Sequence, residues 1–133
     1  MGQSYAGDIM PEEAQRVLAE NPEAVLVDVR TAGEWRQVGV PDLSGLGKDV
    51  VLLPWILQAG GPPNPDFVAS LTRQVADKAT PLLFLCRVGG RSRAAAIAMT
   101  AAGYSRCYNV AEGYEGTGGR TGWKPKGLPW SPG

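Results

Sequence analysis

Three stretches of this chain are apolar with no polar alternation to give them a wet face: "AVLVDV" from Ala24, "VVLLPW" from Val50 and "PLLFLC" from Pro81. Such runs suit strands covered on both sides, as in parallel sheets. Amphipathic segments stand between them. "PEEAQRVLAEN" reads as a helix, with Pro11 suited to its first position and Glu12 and Glu13 suited to its positive end. "TAGEWRQV" reads as one or two helical turns, and "GVPDLSGLGKD" as a loop. Asn64 is expected to cap a helix with Pro65 at its first position, and Phe67, Leu71 and Val75 give that helix one apolar stripe. "RSRAAAIAMTAAG" is a helix ending at Gly103, and "CYNV" is a further short strand. Strands alternating with helices imply an α/β fold, a mostly parallel sheet with right-handed crossovers and helices on both faces.

At 133 residues the chain fits one domain. The expected domain covers 1–116. Residues 117–133, rich in Gly and Pro and carrying Trp123 and Trp130, form a tail without regular elements. Exposed tryptophan gains by burial, so this tail is expected to pack back on the domain.

Acidic and basic residues balance at 13 each, so no overall field favours nucleic acid or an anionic membrane. No apolar run reaches the length of a membrane span, and the first ten residues lack the pattern of a signal peptide. Met1-Gly2 begins like a myristoylation site, but Ala6 stands where Ser or Thr is required. The two cysteines, Cys86 and Cys107, are expected to be free thiols of a cytoplasmic protein. Histidine is absent, which excludes a Ser-His-Asp triad, a Cys-His pair and histidine-based zinc sites. Neither metal nor cofactor is expected.

The segment that promises chemistry is "LCRVGGRS". Cys86 ends an apolar strand, at the sheet edge where open α/β folds bind ligands. Gly89 and Gly90 can adopt positive φ, turning loop N–H groups inward as an anion nest. The following helix points its positive end at the same place, and Arg87 and Arg91 add charge. All of these favour thiolate over thiol, and the thiolate is the nucleophile. Most cysteines that end apolar strands are inert small hydrophobes. Cys107, with no such loop after it, is expected to be one. Asp28 and Arg30 close the "VLVDVR" strand at the same edge as supporting residues. Arg91 is expected to turn inward onto Asp28, and Arg30 to pair with Glu34 four residues on.

These segments resemble the rhodanese-like sulfurtransferases. "CRVGGRS" matches the family's Cys-x4-Arg followed by Ser or Thr, and "VLVDVRTAGEW" its Asp-x-Arg…Glu-Trp segment. "GYSRCYNVAEGYEG" is similar to its last strand and turn, and the likeness spans about residues 5–116. It implies the rhodanese-like fold and sulfur transfer through a Cys86 persulfide. Loop amides and side chains from Arg87, Val88, Gly89, Gly90, Arg91 and Ser92 would hold the substrate, with Arg87 on the donor's sulfonate. The implied partners are a small anionic sulfur donor such as thiosulfate and a thiol or cyanide acceptor, a protein thiol included. The alternative within the family is a catalytically weak regulatory or sulfur-carrier module. Where the family has Gly-His-Ile-x-Gly-Ala after Glu-Trp, this chain has the longer, histidine-free "VGVPDLSGLGKD".

Two other readings fail on spacing. Cysteine phosphatases need His-Cys-x5-Arg, but Leu85 precedes Cys86 and Ser92 stands where that arginine belongs. "SGLGKD" is no phosphate-binding loop, because Asp42 occupies the first glycine position and Asp49 the Ser/Thr position.

Overall fold

The structure, a computed structural model, describes residues 4–133; the Met1-Gly2 start lies outside them. In chain order the elements are β1 (Gly7–Ile9), α1 (Pro11–Glu20), β2 (Val25–Asp28), α2 (Ala32–Val38), β3 (Val40–Pro41), β4 (Val51–Leu52), α3 (Phe67–Gln74), β5 (Leu82–Leu85), α4 (Gly90–Ala101), β6 (Cys107–Val110) and β7 (Trp130–Ser131). Five strands form a parallel sheet in the order β1-β6-β5-β2-β4.

The central strand β5 explains the architecture. Its side chains alternate in direction, and both sets are covered. Leu82, Phe84 and Cys86 join Val27, Phe67, Leu71, Ala95, Ala96 and Met99, so α3 and α4 cover one face. Leu83 and Leu85 join Leu26, Ala14, Leu18, Tyr114 and Trp123, so α1 and the C-terminal segment cover the other. The alanines of α4 let it lie close on the sheet.

Several expectations need correction. "VVLLPW" is not a second buried strand. β4 is a two-residue edge strand that pairs with β2, and its Leu52 is exposed. Asn64 does not cap α3 and Pro65 is not its first residue. The Asn64 side chain instead accepts from the Asp66 N–H, closing a turn one step earlier, and the helix starts at Phe67. The tail is not free of regular structure: Trp130–Ser131 pairs antiparallel with Val40–Pro41, inside the stretch read as loop. β1 has no signal in the amino-acid pattern, because three residues at an edge carry too little of it.

Trp123 is fully buried, and its indole N–H donates to the Pro129 carbonyl at 2.6 Å. Trp130 stays half-exposed under the Lys124 ammonium, 3.9 Å from its ring centroid. Among the described residues no helix is long and apolar enough to cross a membrane.

Candidate active site

Strand β5 ends at Leu85 and α4 begins at Gly90, and the turn between them holds Cys86. Gly89 has φ 110°, a left-handed conformation that glycine adopts at little cost. That twist turns its N–H back onto the sulfur: Gly89 N–H donates to Cys86 Sγ at 3.1 Å. From the first turn of α4 the Ser92 hydroxyl reaches the same sulfur at 3.2 Å. Cys86 is 1% exposed, so the sulfur lies within the cup rather than on its rim.

A second turn supports the loop from below. β6 runs into Glu112-Gly113, and Tyr114 N–H donates to the Cys86 carbonyl at 2.8 Å while Glu115 N–H donates to that of Arg87 at 3.0 Å. Gly113 lies so close that a Cβ there would sit 2.6 Å from the Arg87 carbonyl oxygen and collide with that of Cys86.

The two loop arginines diverge. Arg91 makes a two-point pair with Glu34, Nη1 to Oε1 at 2.7 Å and Nη2 to Oε2 at 3.0 Å. Glu34 also closes a capping box on α2, accepting from the Thr31 N–H at 3.0 Å. Burial pushes the Glu34 carboxyl up, but Arg91 and the Thr31 N–H outweigh burial and hold it at about 2. Arg91 therefore spans from the loop to α2 and does not turn onto Asp28 as expected. Arg87 points outward, its side chain 60% exposed, with Nε 3.3 Å from Glu115. Val88 is exposed at the loop's tip.

Asp28 pairs instead with Arg30. The guanidinium donates to both carboxylate oxygens, at 2.6 Å for the shortest contact, and both side chains are fully buried. Arg30 also donates to the Gly39 carbonyl at 2.8 Å and lies 4.0 Å from the centroid of the Tyr114 ring. Burial pushes the Tyr114 hydroxyl up to about 12. The expected Arg30–Glu34 pair does not form, because Arg30 precedes α2 and helical i,i+4 spacing does not apply to it. Since Tyr114 also carries the Cys86 carbonyl, the buried pair connects to the loop through one residue.

Cys107 lies in β6 with its thiol fully buried, and that burial pushes its pKa up. Sequence reasoning missed Glu34 as the partner of Arg91, although Thr31-x-x-Glu34 is a legible capping box. It also missed Gly113 and Asn109. Asn109 accepts from the Ser92 hydroxyl at 2.6 Å, and nothing in its sequence neighbourhood marks it.

The family model described as the STR4 middle domain matches residues 7–133. The crystal structure of Rv0390 from M. tuberculosis superimposes with a TM-score of 0.88 at 49% identity, covering 98% of this chain and 100% of that one. Protein RC0915 of Rickettsia conorii is 43% identical over 124 residues, 92% of this chain and 95% of the relative. The thiosulfate sulfurtransferase GlpE of Pseudomonas savastanoi is 32% identical over 107 residues, 80% of this chain and 82% of GlpE. The chain belongs to the rhodanese-like family. In this rhodanese-like protein the loop from Cys86 to Ser92 runs from the end of β5 into the first turn of α4, with the sulfur at the start of that helix.

Proposed function

We propose that this rhodanese-like protein is a sulfurtransferase that carries sulfane sulfur on Cys86. The observation that carries the reading is the convergence of the Gly89 N–H and the Ser92 hydroxyl on one buried sulfur at the start of a helix. Donors fixed in place by the fold stabilise charge on sulfur without reorganising during the reaction. The similarity to a thiosulfate sulfurtransferase supports the substrate class.

The Cys86 thiolate attacks the outer sulfur of thiosulfate. A new S–S bond forms, the old one breaks, and sulfite leaves with its electron pair. The outer sulfur now bears the negative charge and faces the loop amides from Arg87 to Ser92. Arg87 meets the donor's sulfonate: its pair with Glu115 is exposed and weak, so an incoming anion displaces the carboxylate at small cost. Arg91 is engaged with Glu34 and acts by bracing the loop. An acceptor thiolate or cyanide then attacks the outer sulfur, and Cys86 leaves as thiolate. Both cysteines are free thiols, which suits a reducing, cytoplasmic setting.

Mass spectrometry after thiosulfate treatment tests this. A gain of one sulfur atom on Cys86, removed by cyanide, is expected; no gain on Cys86 overturns the reading.

A further inference from the structure

Ser92 has one proton and two acceptors. Its Oγ lies 2.6 Å from Asn109 Oδ1 and 3.2 Å from Cys86 Sγ. Both Ser92 and Asn109 are buried, so water does not relieve the competition. The amide is not free to turn its other end to the serine. Its Nδ2 donates to Asp8 Oδ1 at 3.0 Å, and a carboxylate only accepts, so the Asn109 carbonyl must face Ser92. The Tyr5 hydroxyl donates to the same Asp8 oxygen at 2.8 Å and steadies it. A chain of contacts thus runs from β1 at the sheet's edge, through β6, to the sulfur.

We infer that Asn109, oriented by Asp8, is a positioning residue that competes with Cys86 for the Ser92 proton and thereby biases Cys86 toward its sulfur-loaded form. The inference rests on the proposal that Cys86 carries sulfur. With a free thiolate, Sγ and Asn109 Oδ1 contend for one proton, and the thiolate loses part of its stabilisation. Once the outer sulfur is bonded, the charge moves outward and Sγ becomes a poor acceptor. The Ser92 proton then settles on Asn109 without conflict. The covalent change is the loading step itself, an S–S bond made to Cys86 Sγ as the thiosulfate S–S bond breaks and sulfite leaves; Ser92 and Asn109 keep all their bonds, and the hydroxyl rotates.

Two measurements on the full chain test it: the pH midpoint of Cys86 alkylation by iodoacetamide, and the loaded fraction of Cys86 at a fixed ratio of thiosulfate to sulfite, both read by mass spectrometry. Asn109→Leu frees the serine proton for sulfur, so the alkylation midpoint falls by about one pH unit and the loaded-to-free ratio falls about tenfold, the worth of one hydrogen bond to a charged group. Asp8→Ala, at an exposed position, releases the amide to turn over and moves both readouts the same way by a smaller amount. Asn109→Asp moves the midpoint the opposite way, because a carboxylate holds the proton harder and repels the thiolate. In a Ser92→Ala background Asn109→Leu has no further effect, which a merely structural role for Asn109 would not produce. An unchanged midpoint in Asp8→Ala and Asn109→Leu, or an equal effect with and without Ser92, overturns the inference; should Asn109→Leu fail to fold, an unchanged midpoint in Asp8→Ala alone overturns it. The sulfur-carrying reading fails separately, by a wild-type Cys86 that alkylates but never gains sulfur.

Discussion

Glu34 and Arg91, 57 residues apart in sequence, join α2 to the start of α4 through two charge-assisted hydrogen bonds of 2.7 and 3.0 Å. The pair is about three-quarters buried on both sides, which distinguishes it from the exposed pairs elsewhere on the surface. It fixes where the Cys86 loop lies relative to the rest of the edge.

The first prediction concerns acid. Glu34 has a folded pKa of about 2, below its ordinary 4.5, so its ionised form is favoured in the folded state. Its contribution is present in full above pH 4.5 and is lost as pH falls toward 2. Glu34→Gln should therefore lower stability by roughly 3 kcal/mol at pH 6 and by far less near pH 2. Urea unfolding at the two pH values checks this; an equal loss at both would assign the effect to packing.

Cys86→Ser should abolish thiocyanate formation from thiosulfate and cyanide, whereas Cys107→Ser should keep most of it. Only Cys86 has two donors directed at its sulfur, while Cys107 is sealed in the sheet. Equal loss in both variants would remove Cys86 from its assigned role.

Asp28 and Arg30 should behave as one unit. Removing either partner leaves a buried charge alone, at a cost of about 3–5 kcal/mol. Asp28→Ala is expected to lose stability on that scale and to reduce turnover by loosening Tyr114 under the loop, without removing the sulfur nucleophile. Thermal unfolding with parallel iodoacetamide labelling reads both effects. Wild-type stability and turnover in Asp28→Ala would show the pair to be dispensable.

Gly113 has φ 55° and no room for a Cβ against the carbonyls of Cys86 and Arg87. Gly113→Ala should displace the loop and cut sulfur transfer at least as much as it cuts stability. Full activity in a folded Gly113→Ala protein would mean that the loop tolerates the shift.

Trp123 is the largest fully buried side chain of the molecule's described residues. Trp123→Ala should cost about 3–5 kcal/mol. Deleting residues 117–133 should lower the melting temperature further, since it also removes β7 and uncovers Tyr114 and Leu85. A truncated chain that melts at the wild-type temperature would contradict this account of the tail.

The features legible in the amino-acid order are local. Strand β5, the glycine turn, the start of α4 and the thiol they present follow from residues within a few positions of one another. Gly89 turns its own N–H onto a sulfur three residues back, and the apolar runs carry their parallel-sheet signal without help from distant segments. The Asp28–Arg30 pair is local too, but the sequence reading assigns Asp28 to Arg91 and Arg30 to Glu34. Residues i and i+2 of an extended segment face the same side, which suits Arg30 to Asp28 better than a partner from another element. Tertiary structure alone decided the rest. Arg91 finds Glu34 because β2 and β5 pair in parallel register, setting the start of α2 beside the start of α4. Asn109 meets Ser92 and Asp8 because β6 lies between β5 and β1, a strand order that no residue of "CYNV" encodes. β7 pairs with β3, far away in sequence, in the same tail that buries Trp123. Each of these contacts closes a long loop of chain, so the packing of the whole sheet, and not any local preference, selects it.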